Sequence, residues 1–104
     1  TVGQGKLVFR MPYAMTITDV RASVTTPPTG STIIVDIDQG GSSIFTTNKL
    51  SIDAGENTST TAATPPNITT TALNDDVEII VNIDQVGSTV AGTGLKVYLI
   101  GTRA

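Results

Sequence analysis

The chain has 104 residues, a net charge of −3 and charged side chains at only 14% of positions, against about 25% in an average soluble domain. That length supports one domain, taken here as 1–104. Cys and His are both absent, which removes disulfides, thiolate catalysis, imidazole acid–base chemistry and a zinc site of the usual kind.

The six basic residues, Lys6, Arg10, Arg21, Lys49, Lys96 and Arg103, are scattered singly. Tracking phosphates requires several neighbouring cations that displace counterions together, so nucleic acid is not an expected partner. The same scarcity argues against an anionic membrane surface. No apolar run approaches the roughly 18 residues that span a bilayer, so no membrane insertion is expected. Because it begins with Thr1 rather than Met, the chain is expected to be processed or part of something longer.

Thr is the commonest residue, and its β-branched side chain suits a pleated surface. The dominant hydrophobic period is two. Lys6 to Arg10 alternates, with Leu7 and Phe9 on one side. Met15 to Val24 reads as a strand whose phase shifts near Asp19, as a bulge would make it. Thr26-Pro27-Pro28-Thr29-Gly30 stops it.

Thr32 to Asp38 is a strand with Ile33, Val35 and Ile37 on one face. Gln39-Gly40-Gly41-Ser42 turns the chain and Ser43 to Thr47 returns. Leu50 and Ile52 form a short segment closed by Asp53-Ala54-Gly55, and Thr58 to Ala63 is expected to be a polar edge strand. After Thr64-Pro65-Pro66-Asn67, Ile68 to Asp76 carries a tight turn. Val77 to Asp84 alternates with Val77, Ile79, Val81 and Ile83 inward. Val86 to Thr93 is a loop, and Leu95 to Ile100 is the last strand, with Leu95, Val97 and Leu99 inward. About eight short strands with punctuated turns predict an all-β, antiparallel two-sheet β-sandwich, jelly-roll-like, with an immunoglobulin-like order as the alternative.

One segment recurs. Ile33-Ile34-Val35-Asp36-Ile37-Asp38-Gln39-Gly40-Gly41-Ser42 returns as Ile79-Ile80-Val81-Asn82-Ile83-Asp84-Gln85-Val86-Gly87-Ser88, with eight of ten positions identical. Two related halves would explain it, as would two central strands converging on one solution.

No arrangement of residues points to catalysis, a cofactor or a metal. Asp36-x-Asp38-x-Gly40 resembles a calcium loop, but the glycine comes a residue early and the twelfth position is Thr47 rather than an acid. Asp75, Asp76, Glu78 and Asp84 lack the cleft that a pair of hydrolytic carboxylates needs. The many serines have no histidine base and no Gly-x-Ser-x-Gly elbow. Asn57-Thr58-Ser59 and Asn67-Ile68-Thr69 match the glycosylation sequon, a chance event in so Thr-rich a chain.

More informative are apolar residues on outward faces. Ile34 and Ile80 sit among polar neighbours on their strands, and Tyr98 and Ile100 share a face with Lys96 and Thr102. If aligned, these four form a subunit interface, expected to build a homotrimer. Tyr13, in the corner Met11-Pro12-Tyr13-Ala14, is a candidate for ligand stacking.

From Gly5 to Ala104 the chain resembles a β-domain of tailed-bacteriophage structural proteins, often found in marine and environmental phages. The resemblance runs through Gly5-Lys6-Leu7-Val8-Phe9-Arg10-Met11-Pro12-Tyr13-Ala14, Val20-Arg21-Ala22-Ser23-Val24 and Leu50-Ser51-Ile52-Asp53-Ala54-Gly55-Glu56. It continues through Asp75-Asp76-Val77-Glu78-Ile79, Asp84-Gln85-Val86-Gly87 and Gly92-Thr93-Gly94-Leu95-Lys96-Val97. It implies a non-catalytic virion protein of the tail-fibre, head-fibre or capsid-decoration kind, serving particle assembly or host attachment. Other virion proteins, and a host surface glycan or receptor, are the implied partners. A carbohydrate-binding module is the alternative, with Tyr13 and Tyr98 as its aromatic platforms.

Overall fold

The alternation of period two becomes eight strands in a computed structural model that describes residues 3–46 and 48–103. They are β1 (Gly3–Arg10), β2 (Met15–Ser23), β3 (Ile33–Gln39), β4 (Ser42–Ser43), β5 (Leu50–Ile52), β6 (Ala72–Leu73), β7 (Glu78–Gln85) and β8 (Lys96–Arg103). One sheet has the order β1-β7-β3-β4, with β5 also on β3, and the other has the order β6-β2-β8. Every pairing is antiparallel. The two sheets face each other as an antiparallel β-sandwich. The chain crosses between them from β1 to β2, β2 to β3, β5 to β6, β6 to β7 and β7 to β8, whereas β3, β4 and β5 stay in one sheet.

The core lies where the alternation points. Ile33, Val35, Ile37, Ile79 and Val81 are buried on the inner face of the larger sheet, opposite Ile17, Val20 and Ala22 of β2. Val77 and Ile83, also expected inside, are half-buried, Val77 just before β7 and Ile83 toward its far end. Burying side chains of this size stabilises a fold by about 1.5–3 kcal/mol each.

The phase shift near Asp19 is a real irregularity: the β2–β8 register slips between Ile17 and Asp19. Opposite it stands Gly101, where a Cβ would come within 2.1 Å of the Thr16 carbonyl oxygen. Only glycine lets β8 run past the bulge.

The repeated segments are neighbours. β3 and β7 pair with Val35 opposite Ile83, Asp36 opposite Asn82 and Ile37 opposite Val81. Each pair maps onto another, or onto itself, when one repeat is exchanged for the other. The two copies are therefore related by a local two-fold axis through Asp36 and Asn82.

Two expectations are corrected. Thr58 to Ala63 is not an edge strand; Ser59–Thr61 forms a single 3-10 turn. The Thr58 side chain caps it by accepting from the Thr60 N–H, and the Ser59 hydroxyl accepts the Ala22 N–H at 2.9 Å. Hydroxyls that bond locally to backbone compete with ladder formation. The return strand after Gly41 is only Ser42–Ser43; Thr47 lies outside the described residues.

The two long sides of the sandwich differ. On one, β5 lies beside β2 and the 3-10 turn, and Val24 N–H donates to Asn57 O at 2.8 Å, so the chain straps the sheets together. On the other, β1 and β8 are the outermost strands of their sheets. Between them is a narrow apolar crevice of about 30 Å³, lined by Leu7, Phe9, Val97 and Leu99 together with core residues.

Truncating the core should separate sharply from truncating the rim. Ile79→Ala is expected to lose about 2–5 kcal/mol in urea unfolding, whereas Val8→Ala, on an exposed face, should lose less than about 1 kcal/mol.

Candidate functional site

On the outer face of the larger sheet, the polar residues of β3 and β7 form one connected layer. Lys49, just before β5, places its ammonium 2.7 Å from Asp84 Oδ2 and 3.4 Å from Asp36 Oδ2. Ser43 donates to Asp36, and Asn82 Nδ2 donates to Asp38 Oδ2 at 3.1 Å. Asn82 is almost fully buried although it belongs to the outer face.

The electrostatics follow from this crowding. Burial, and then the neighbouring Asp36 carboxylate, raise the Asp38 pKa above its ordinary value, against the lowering effect of Asn82. In the folded chain Asp38 therefore binds a proton more readily than in the unfolded one, and its contribution to stability rises as pH falls through that raised value. The hydrogen bond to Asp84 raises the Lys49 pKa, with further support from Asp36. Its contribution is complete below the ordinary lysine value of 10.5 and is lost as pH climbs through the raised one.

Beside this layer lies a shallow cleft of about 410 Å³, with Ile34 and Ser51 among its lining and Lys49, Asp53, Thr64 and Gln85 around them. Its polar groups are largely engaged with one another. Gln85 Nε2 donates to Thr32 O at 2.7 Å, Asp53 Oδ2 accepts from Ala63 N–H at 2.9 Å, and Ser51 donates to Thr64 O at 3.4 Å. Among the described residues no buried side-chain nitrogen or oxygen lacks a hydrogen-bond partner. The buried polar atoms of the cleft are thus satisfied within the chain.

The four candidate interface residues fall in two places. Ile34 and Ile80 lie on the outer face of the larger sheet, both half-buried. There Ile34 stands between Gln85 and Ser51, and Ile80 between Asp38 and Val8, so the two are not cross-strand neighbours. Tyr98 and Ile100 lie on the opposite side of the molecule, on the outer face of β8, at 47% and 37% exposure. The sandwich thus separates the four residues by its full thickness and brings only Tyr98 and Ile100 together.

Tyr13, 37% exposed, sits in the β1–β2 corner with the Arg103 guanidinium 4.8 Å from its ring centre. One face of the ring is thereby covered by a cation. Glu78 and Asp84 stand at opposite ends of β7, and Asp75 and Asp76 lie in the turn before it, so these acids do not converge. Among the described residues there is no group of three acids placed to hold a metal ion.

The periodicity did not disclose two exposed residues. Leu7, on the same side as the half-buried Phe9, is 52% exposed because β1 is an edge strand, and Val8 beside it is 51% exposed. A strand pattern fixes the face, not whether a neighbouring strand covers it.

Asn82→Asp should destabilise the chain by about 1–3 kcal/mol at pH 7, because it sets a second buried carboxylate against Asp36. The penalty should shrink toward pH 4 as that carboxylate protonates. Urea unfolding at both pH values checks this, and an equal loss at each would refute the charge argument.

Comparison of the chain with protein families, with curated proteins and with solved structures finds no match.

Proposed function

We propose that this chain is a non-catalytic structural module of a bacteriophage virion, displayed on the particle surface and working through protein contacts in assembly or host attachment. The reading joins the resemblance over Gly5 to Ala104 with one structural observation. Of the six large hydrophobic residues exposed among the described residues, Leu7, Val8, Tyr98 and Ile100 belong to the two outermost strands β1 and β8. Apolar residues concentrated along one side of a sandwich suit contact with another protein surface. Within this reading a tail fibre and a capsid-decoration protein share the same requirements, a stable scaffold and an adhesive edge. The partners are other virion proteins and further copies of the chain.

One observation favours a second reading, a carbohydrate-binding module. The exposed Tyr98 ring lies next to Arg21 across the strand, and its hydroxyl is 3.4 Å from that of Ser23. An aromatic face beside a guanidinium and a hydroxyl suits a sugar ring.

Two measurements separate these readings. Antibodies raised against the purified chain should label density-purified phage particles from its source, at the tail tip for a fibre or over the head for decoration. Absence of label from every particle would overturn the virion reading. On a glycan array the chain should give no binding that Tyr98→Ala or Tyr13→Ala abolishes, and such a loss would establish the second reading instead.

A further inference from the structure

β8 presents an unusual edge. It pairs with β2 on one side, and among the described residues no strand pairs with it on the other. Over eight residues, Lys96 to Arg103, it carries charge only at its two ends, with no proline between. Soluble proteins usually protect such edges with central charges, prolines or short strands, because unpaired N–H and C=O groups recruit another strand. The exposed Tyr98 and Ile100 lie on its outer face, and the half-buried Val97 and Leu99 face the apolar crevice on its inner side. A strand added here would meet apolar side chains above and below.

We propose that the occupant is a second copy of this chain, with β8 of each protomer pairing antiparallel about a two-fold axis through Leu99. Pairing about that residue sets Leu99 against Leu99, Tyr98 against Ile100, Val97 against Gly101 and Lys96 against Thr102 of the other copy. Inner residues then meet inner residues, and outer meet outer. The alternative that places Lys96 against Arg103 shifts the register by one residue, setting inner against outer faces. Hydrophobic matching and charge thus exclude the same alignment. Exchange of identical surfaces is what an isologous dimer requires.

The size is adequate. An eight-residue strand runs about 27 Å, and two sheets about 10 Å apart, with the width of their edge strands, give a side about 20 Å across. The flat projection is therefore roughly 500 Å² before side-chain relief, approaching the ~800 Å² per partner of a stable complex. The pairing joins the smaller sheets of two copies into one continuous sheet of twice the strands. It stands on the edge geometry alone, whether or not the chain belongs to a virion.

The test is the mass of the full chain in solution across a concentration series into the millimolar range, by light scattering or sedimentation. The expected value is twice the 10.7 kDa of one chain. Tyr98→Lys with Ile100→Lys should return it to that of one chain, with an unchanged circular-dichroism spectrum, since both side chains are exposed. Because the chain has no Cys, Leu99→Cys introduces a single thiol on the axis. Its oxidation should give a covalent dimer much faster than oxidation of the control Thr16→Cys. A monomer throughout, a trimer, an oligomer broken only by Ile34→Lys with Ile80→Lys, or equal cross-linking of both thiols would each overturn the proposal. Particle labelling reads out the virion assignment separately, so either conclusion can fail without the other.

Discussion

The architecture depends on the pairing of β3 with β7. β7 carries β1 on its far edge and β3 carries β4 and β5, so the whole larger sheet hangs from this one ladder. Its inner face supplies Val35, Ile37, Ile79 and Val81 to the core, while its outer face holds Asp36, Asp38 and Asn82. A slip of one residue would exchange the two sets and drive carboxylates into the core. Burying even one polar group without its partners costs several kcal/mol, so the polar layer guards the register as firmly as the apolar one.

The repeat explains how that layer works. Under a local two-fold axis, the residue at the axis faces its own equivalent in the other copy. A perfect repeat would set an aspartate against an aspartate, and like charges directly opposite in a ladder are destabilising. The chain departs from identity at that place: Asp36 meets Asn82, whose amide donates to Asp38. Lys49 then neutralises Asp36 and Asp84 from the side. Burial, and then the neighbouring Asp36 carboxylate on the same strand face, leave Asp38 with a raised pKa.

Much of the fold was legible because period two survives wherever a strand is covered on one face. Ile33, Val35 and Ile37, the bulge near Asp19 and the inward residues of β7 all follow from it. What escaped was set by hydroxyls and by topology. Thr58 to Ala63 has the composition of a strand, but Thr58 and Ser59 spend their oxygens on backbone N–H groups and form a turn instead. Ile34, Ile80, Tyr98 and Ile100 were recognisable as outward residues. Nothing in the sequence said that β3 and β7 would lie in one sheet and β8 in the other, and so the four divide between opposite faces. The exposure of Leu7 was hidden for the same reason, since edge position is a property of strand order.

Strand order also gives the molecule its two unlike sides. Where β5 meets β2, the free edges are two and three residues long, Lys49 stands beside them, and the segment around the 3-10 turn covers what remains of β2. Short edges, a charged side chain and a covering segment all work there against strand addition. On the β1 and β8 side the edges are eight residues long, and the centre of β8 from Val97 to Gly101 has neither charge nor proline. Lys96 and Arg103 do not deter pairing in the middle of the strand; placed at its ends, they penalise the one antiparallel alignment in which they would meet. A chain with only 14% charged residues has few to place, and the centre of β8 holds none of them. An edge free of charge through its centre, with charges at its ends that discriminate between registers, is shaped for a partner strand.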